Sequence, residues 1–236
     1  MRGDVNIVVN ETHSRQDIRQ ERQFDAGRRR YSFARALLEP PSGRARLIDV
    51  GGGAGEFTHI AREAGYSTTL IDGNESSVER EKQRQSDAVV QNLTAGLPDI
   101  PDNGFDAAIC LEVIEHIVTA ENLIASMYRV IKPGGYLVLS TPNFSFLMDR
   151  LKYMRGGLVK EEGYHFRFYT IKSLTGICQD AGFIIEQRRS MASAMGVNLV
   201  LRLLTLGRIH IHPFASPKCI ESWAARTFVW KLRKPS

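Results

Sequence analysis

The stretch Leu47 to Gly55, LIDVGGGAG, constrains the fold of this chain more than any other. An apolar strand ends on an acidic residue, Asp49, and runs into a loop carrying Gly51, Gly52, Gly53 and Gly55. Glycine lets a backbone turn tightly and lets a ligand approach without a Cβ in its way. A helical pattern follows at once, so its first N–H groups would face that ligand. Such a strand–loop–helix belongs at the carboxyl edge of a parallel sheet, where open α/β folds bind ligands. The spacing is G-x-G-x-G and not the G-x-G-x-x-G of dinucleotide folds, which disfavours a nicotinamide oxidoreductase. A tight β–α turn holding no ligand is the plain alternative.

The rest of the chain fits a sheet of this kind. Strand-like runs at Arg46–Val50, Thr68–Asp72, Ala88–Gln91, Phe105–Leu111 and Tyr136–Ser140 alternate with helical patterns at Glu56–Glu63, Glu75–Arg84 and Thr119–Ile131. That alternation implies βαβ units. Phe183–Arg188 and Thr227–Arg233 read as a sixth and a seventh strand, and a helix starts near Thr170. The expected fold is α/β: a doubly wound, mostly parallel, seven-stranded Rossmann-like sheet with an antiparallel last strand. Ser14–Glu39 reads as a helix stopped by Pro40-Pro41. The expected organisation is one domain over residues 1–236, with 1–41 as an N-terminal helical cap. Residues 190–226 form an apolar insertion before the last strand, folding over the active-site edge as helix plus loop.

Two further strand ends bear on what such a loop would bind. Asp72, followed by Gly73, closes the strand TTLID about twenty residues beyond the loop, where a carboxylate accepts from both ribose hydroxyls. Its plain alternative is a surface Asp capping the helix that begins near Asn74. The strand VVQNL ends on Asn92 and Leu93. Together with Gly104-Phe105-Asp106, LEVIEH and RVIKPGGYLVLSTPN, these pieces resemble class I S-adenosylmethionine (SAM)-dependent methyltransferases. The likeness runs roughly from Leu47 to Ile185. The group most similar contains ubiquinone-biosynthesis O-methyltransferases and bacterial small-molecule methyltransferases. The resemblance implies SAM as cofactor, with S-adenosyl-L-homocysteine as its product. It implies that the glycines accept the amino-acid and ribose end, that Asp49 meets the ammonium group, and that Asn92 and Leu93 hold the adenine. Asn92 stands where an Asp is common. Leu111 and the residues after it would face the methyl group.

Those residues are Leu111-Glu112-Val113-Ile114-Glu115-His116. They lack the N-P-P-Y-like sequence typical of amide and adenine N-methyltransferases. His116 is a candidate base for a hydroxyl acceptor, with Tyr164 or His165 helping. A locally bonded histidine at a helix start is the competing reading. Glu112, Glu115, His116 and His165 are residue types that hold divalent ions. E-x-x-E-H looks like the magnesium motif of some ubiquinone-biosynthesis enzymes. With His165 added it is similar to the metal set of small-RNA terminal 2′-O-methyltransferases. It equally resembles relatives with no known metal, and no metal is assigned.

The expected reaction is methyl transfer from SAM to an oxygen, before nitrogen, of a hydrophobic small molecule or lipid-linked sugar. The alternatives are a metal-assisted RNA ribose 2′-O-methyltransferase and a non-catalytic SAM-binding subunit. A net charge of +5 and the Arg28-Arg29-Arg30 run fit a solvated helix face better than a nucleic-acid patch, so nucleic acid is not an expected partner. Cys110, Cys178 and Cys219 form no metal-binding pair and fit reduced thiols. The expected setting is cytoplasmic, with peripheral membrane contact through residues 191–211, and the expected state is a monomer or homodimer.

Overall fold

The structure, a computed structural model, describes residues 29–84, 87–156, 165–192 and 218–236. Its strands are β1 (Arg46–Val50), β2 (Ser67–Asp72), β3 (Asp87–Val90), β4 (Phe105–Leu111), β5 (Ile131–Pro142), β6 (Ile184–Arg188), β7 (Met191–Ala192) and β8 (Ala225–Arg233). The helices are α1 (Glu56–Glu63), α2 (Glu75–Gln83), α3 (Ala120–Val130), α4 (Leu147–Met154), α5 (Ile171–Asp180) and the short α6 (Glu221–Ala224). The sheet order is β3-β2-β1-β4-β5-β8-β6. Strands β1 to β5 pair in parallel. Strand β8 slots antiparallel between β5 and β6. The order reverses between β1 and β4, which opens a crevice at their carboxyl ends.

Seven strands of the expected kind are present, and the sheet gains an eighth. Strand β7 pairs Met191 with Thr227 at the point where the insertion was expected to begin. Residues 193–217 lie outside the described residues, and with them nearly all of the insertion expected to touch a membrane. The N-terminal helix is described from residue 29 and is helical to 35, with a turn before Pro40-Pro41.

Alternation along the strands divides the core between the two faces. Ile48, Val50, Ala108 and Cys110 face one cluster, with Leu123, Ile124 and Met127 of α3 and Leu174 of α5. Leu47, Ala107 and Ile109 face the other, with Phe57 and Ala61 of α1 and Ala34 and Leu37. Helix α3 buries Ala120, Leu123, Ile124, Met127 and Val130, a three-to-four-residue spacing that lays one stripe on the sheet. The chain leaves α3 directly into β5, earlier than Pro133-Gly134-Gly135 indicates in the sequence. The irregular register between Phe105/Ile131 and Ala107/Tyr136 absorbs those residues. Helix α4 has no counterpart among the expected elements, because it buries none of its residues.

Candidate active site

The loop after β1 is built from three left-handed glycines, Gly51, Gly53 and Gly55, with φ of 74°, 53° and 74°. They do different work. A Cβ on Gly51 would sit 2.4 Å from Val113 Cγ2, so this residue lets the loop close on the turn after β4. A Cβ on Gly55 would sit 2.3 Å from Glu81 Oε2. Gly53 has nothing within 4 Å of its Cβ position and opens onto the crevice.

Asp72 holds this loop from the next strand. Its Oδ2 accepts from Gly53 N at 2.9 Å and its Oδ1 from Asn74 N at 2.8 Å. The cap of α2 is Asn74, whose side chain accepts from Ser77 N, so Asp72 is not the helix cap. A carboxylate has about four acceptor sites, so two bonds leave capacity for a ligand's hydroxyls. Asp49 lies under the loop at 2% exposure, and its Oδ2 accepts from Thr58 Oγ1 at 2.7 Å. Burial, against the help of Thr58, pushes its carboxyl up to about 6. Asn92 caps a short 3-10 turn over Leu93–Ala95, its Oδ1 accepting from Thr94 N at 3.0 Å. Leu93 is buried, while Gly73 and Leu111 border the strand ends.

Glu81 is a contributor that the sequence hides. It sits in a charge-rich helix that reads as solvated, yet it is 1% exposed. Arg62 Nη2 bonds its Oε1 at 2.6 Å, and Arg84 lies at 3.4 Å from Oε2. The missing Cβ of Gly55 makes the room for it.

The other side of the crevice begins at Glu112, whose φ of 57° is costly for a residue with a side chain. Its N–H donates to Ser140 O, and its Oε1 accepts from Ser140 Oγ at 2.8 Å. Its Oε2 lies 3.4 Å from Arg30 Nη1. Arg30, expected from the sequence on a solvated helix face, instead reaches this site from the N-terminal helix. Its Nε is buried with no hydrogen-bond partner among the described residues.

A 3-10 turn over Ile114–His116 then buries Glu115 to 1% exposure. Thr141 Oγ1 donates to Glu115 Oε2 at 3.0 Å, while Oε1 has no hydrogen-bond partner among the described residues. Burial, reinforced by the Glu112 carboxylate, raises the Glu115 carboxyl well above its ordinary range. The Glu115 carbonyl accepts from Phe166 N and Arg167 N, at 2.8 and 3.1 Å. Those two bonds draw His165 to His116, ring centroids 4.6 Å apart and edge to face. Burial and His116 lower the His165 pKa. Glu115, His116 and His165 each offer a ligand atom within 4.8 Å of the others'. Glu112, the fourth of the set considered from sequence, is turned to Ser140 and Arg30 instead. Tyr164 lies outside the described residues.

An open, mostly parallel sheet with a glycine loop and a carboxylate at its switch point defines a Rossmann-type nucleoside-binding protein. A family described as a methyltransferase domain matches residues 18–188. A ubiquinone biosynthesis O-methyltransferase of Rickettsia canadensis is 24% identical over 163 residues, covering 66% of this chain and 69% of that protein. The matched stretch thus spans about two thirds of such a relative's own length. A SAM-dependent methyltransferase structure from Archaeoglobus fulgidus aligns over 86% of this chain and 92% of its own, at 18% identity and a TM-score of 0.62. Phosphoethanolamine N-methyltransferase 2 of Haemonchus contortus, solved with SAM, aligns over 88% of this chain and 53% of its own, at 17% identity and a TM-score of 0.62. The chain belongs to the methyltransferase-domain family and is a class I SAM-dependent methyltransferase. The crevice fits that cofactor, with open space at Gly53 and acceptor capacity left on Asp72.

Proposed function

We propose that this enzyme methylates an oxygen, before nitrogen, of a hydrophobic small molecule or lipid-linked sugar. The observation that carries this reading is the His116–His165 pair, set against buried Glu115 where β4 meets the crevice. When bound, SAM supplies an electrophilic methyl group on a sulfonium sulfur. A hydroxyl acceptor needs its proton removed as it attacks, and an imidazole is the side chain suited to that near neutral pH. In this reading His116 takes the proton, and His165, packed edge-on, holds the ring in place. Tyr164 keeps its assignment as a second helper. Gly51, Gly52, Gly53, Gly55, Asp72 and Gly73 receive the amino-acid and ribose end of the cofactor. Asn92, Leu93 and Leu111 line its adenine and methyl ends, and Asp49, beneath the loop, meets its ammonium group through water or directly. The names of the curated relatives support oxygen as the acceptor atom. The exposed aromatic rings of Phe144, Phe166 and Phe168 support an apolar acceptor.

The same residues support a second reading, in which Glu115, His116 and His165 hold a divalent cation. The buried Glu115 Oε1, without a hydrogen-bond partner among the described residues, favours it. Two imidazoles and a carboxylate suit a transition ion, which would lower the pKa of an acceptor hydroxyl. An RNA ribose hydroxyl would be an acceptor of that kind. We read the chain as one catalytic domain, monomeric or homodimeric, with residues 1–41 as a cap and 190–226 as an insertion. Its setting is cytoplasmic or peripheral to a membrane. Among the described residues no helix is long and apolar enough to cross one.

The test is calorimetric titration of SAM and S-adenosylhomocysteine, followed by an acceptor screen with and without chelator. Turnover of a phenol or lipid-linked hydroxyl that survives chelation supports the base reading. Turnover that disappears with chelator and returns with a divalent ion moves the assignment to the cation. Cofactor binding with no transfer to any acceptor class leaves a SAM-binding subunit and overturns both.

A further inference from the structure

Helix α4 is amphipathic with its sides exchanged. At about 100° per residue, Leu147, Met148, Leu151 and Met154 fall within one arc of about 120°. That arc faces solvent: all four are exposed, Met154 at 82%. The two half-buried residues of the helix, Asp149 and Tyr153, lie on the opposite side against the protein. Tyr153 packs at a tilt against Phe144, and Phe144 against Phe168, with ring centroids 5.7 and 5.0 Å apart. Phe144 and Phe168 are themselves 42% and 54% exposed, so the apolar surface continues from the helix onto the segment that carries His165. Contiguous exposed apolar surface of this kind marks an interaction site.

The charges around it select the partner. Arg150 and Lys152 are exposed on the two flanks of the apolar arc, and Arg155 is exposed at its end. The one acid of the helix, Asp149, is on the protein side. Apolar side chains bracketed by basic ones suit the headgroup boundary of an anionic bilayer, where the former sink among acyl chains and the latter meet phosphates. We propose that α4, with Phe144 and Phe168, docks this enzyme on an anionic lipid surface. The docked face takes in Phe168, three residues along the chain from His165, so in this proposal an acceptor dissolved in that bilayer has a short path to the site. Docking itself is independent of which acceptor is used.

The test is flotation of the full chain with phosphatidylcholine vesicles, with and without phosphatidylglycerol. Binding is expected to the phosphatidylglycerol vesicles and to weaken as salt rises. The triple variant Leu147→Ser, Leu151→Ser, Met154→Ser is expected to lose at least about tenfold in vesicle affinity. Arg150→Gln with Lys152→Gln should each take on the order of fivefold, at low salt only. Both variants alter exposed side chains, so their melting temperatures and SAM affinities should match the parent's, which separates lost docking from lost folding. Vesicle binding that is absent, or equal in parent and triple variant, overturns the proposal. So does a parent dimer that the triple variant turns into a monomer, because a second copy would then cover this face. Failure here leaves SAM binding and methyl transfer untouched.

Discussion

The two halves of the crevice are built by different means. On the cofactor side the backbone does most of the shaping: three left-handed glycines, and a carboxylate that accepts from two backbone N–H groups. On the acceptor side, ionisable side chains in close quarters do it: Glu112 on Ser140 and Arg30, buried Glu115, and two imidazoles packed edge to face. A backbone-built site needs fixed residue types at fixed short spacings. A side-chain-built site needs partners that meet only in three dimensions. The first half accommodates a constant ligand, and the second is free to differ between relatives that share the first.

The sharpest break between the halves is expected from His116→Ala. Removing a general base costs on the order of 10²- to 10⁴-fold in turnover. SAM affinity, measured by calorimetry, should stay at the parent value. Asp72→Ala is the mirror image. Gly53 N and Asn74 N lose their acceptor, and the cofactor's hydroxyls lose theirs, at about 1.5–3 kcal/mol for a bond to a charged group. SAM affinity should fall about 100-fold, with a smaller change in the turnover of the saturated enzyme. If Asp72→Ala and His116→Ala moved the same parameter, the division into halves would be wrong.

Two variants sharpen the account of the glycine loop. Gly51→Ala meets both a left-handed backbone and Val113, and is expected to cost about 2–4 kcal/mol of stability. Gly53→Ala meets the backbone penalty alone, about 1 kcal/mol, but places a methyl group in the open crevice. Denaturant melts should therefore rank Gly51→Ala as the less stable. SAM titration should show weakened binding in Gly53→Ala at nearly normal stability. Equal stabilities for the two would mean that Val113 yields freely.

Asp49 gives the cofactor half a pH signature. Its folded-state carboxyl is raised by burial from 3.8 to about 6. A raised carboxyl favours the fold at low pH, and that contribution is lost as pH rises from the unfolded value through about 6. Asp49→Asn keeps an acceptor for Thr58 and removes the buried charge. Above pH 6 it should be the more stable protein by up to about 3 kcal/mol, and near pH 4 the gap should close. A gap that does not change with pH would mean that Asp49 is solvated in the free protein.

How much of this was legible in the sequence follows the same division. Gly51, Gly53, Asp72 and Asn74 are within a few residues of a strand end, so local pattern locates them. The strands themselves are legible because two-sided burial writes continuous apolar runs such as Phe105–Leu111. Arg30 reads as a solvated charge and Glu81 as one charge of a helix, since nothing local tells that Gly55 leaves a space or that Glu112 waits across the crevice. Helix α4 escapes because its apolar stripe serves no core. His116 and His165 are nameable as candidates. Their meeting depends on the Glu115 carbonyl accepting two N–H groups from a segment some fifty residues away, which no short spacing encodes.

Arg30 carries a charge from the N-terminal helix to the acceptor half, and it supports the smallest and most discriminating prediction. Its neighbour Tyr31 packs on Phe57 of α1, ring centroids 5.7 Å apart, so the N-terminal helix rests on the cofactor half. Its guanidinium reaches Glu112 in the acceptor half at 3.4 Å, with both side chains about a fifth exposed. A half-screened pair at that distance is worth at most about 1 kcal/mol, so Arg30→Gln should leave the melt within a few degrees of the parent. The pair also sets where Glu112 points, and Arg30 is among the charges that oppose the rise of the Glu115 carboxyl. Arg30→Gln should therefore lower kcat/KM for the acceptor by about fivefold while SAM affinity changes less. If SAM affinity falls more than acceptor turnover, the N-terminal helix serves the cofactor, and Glu112 holds its strained backbone through Ser140 alone.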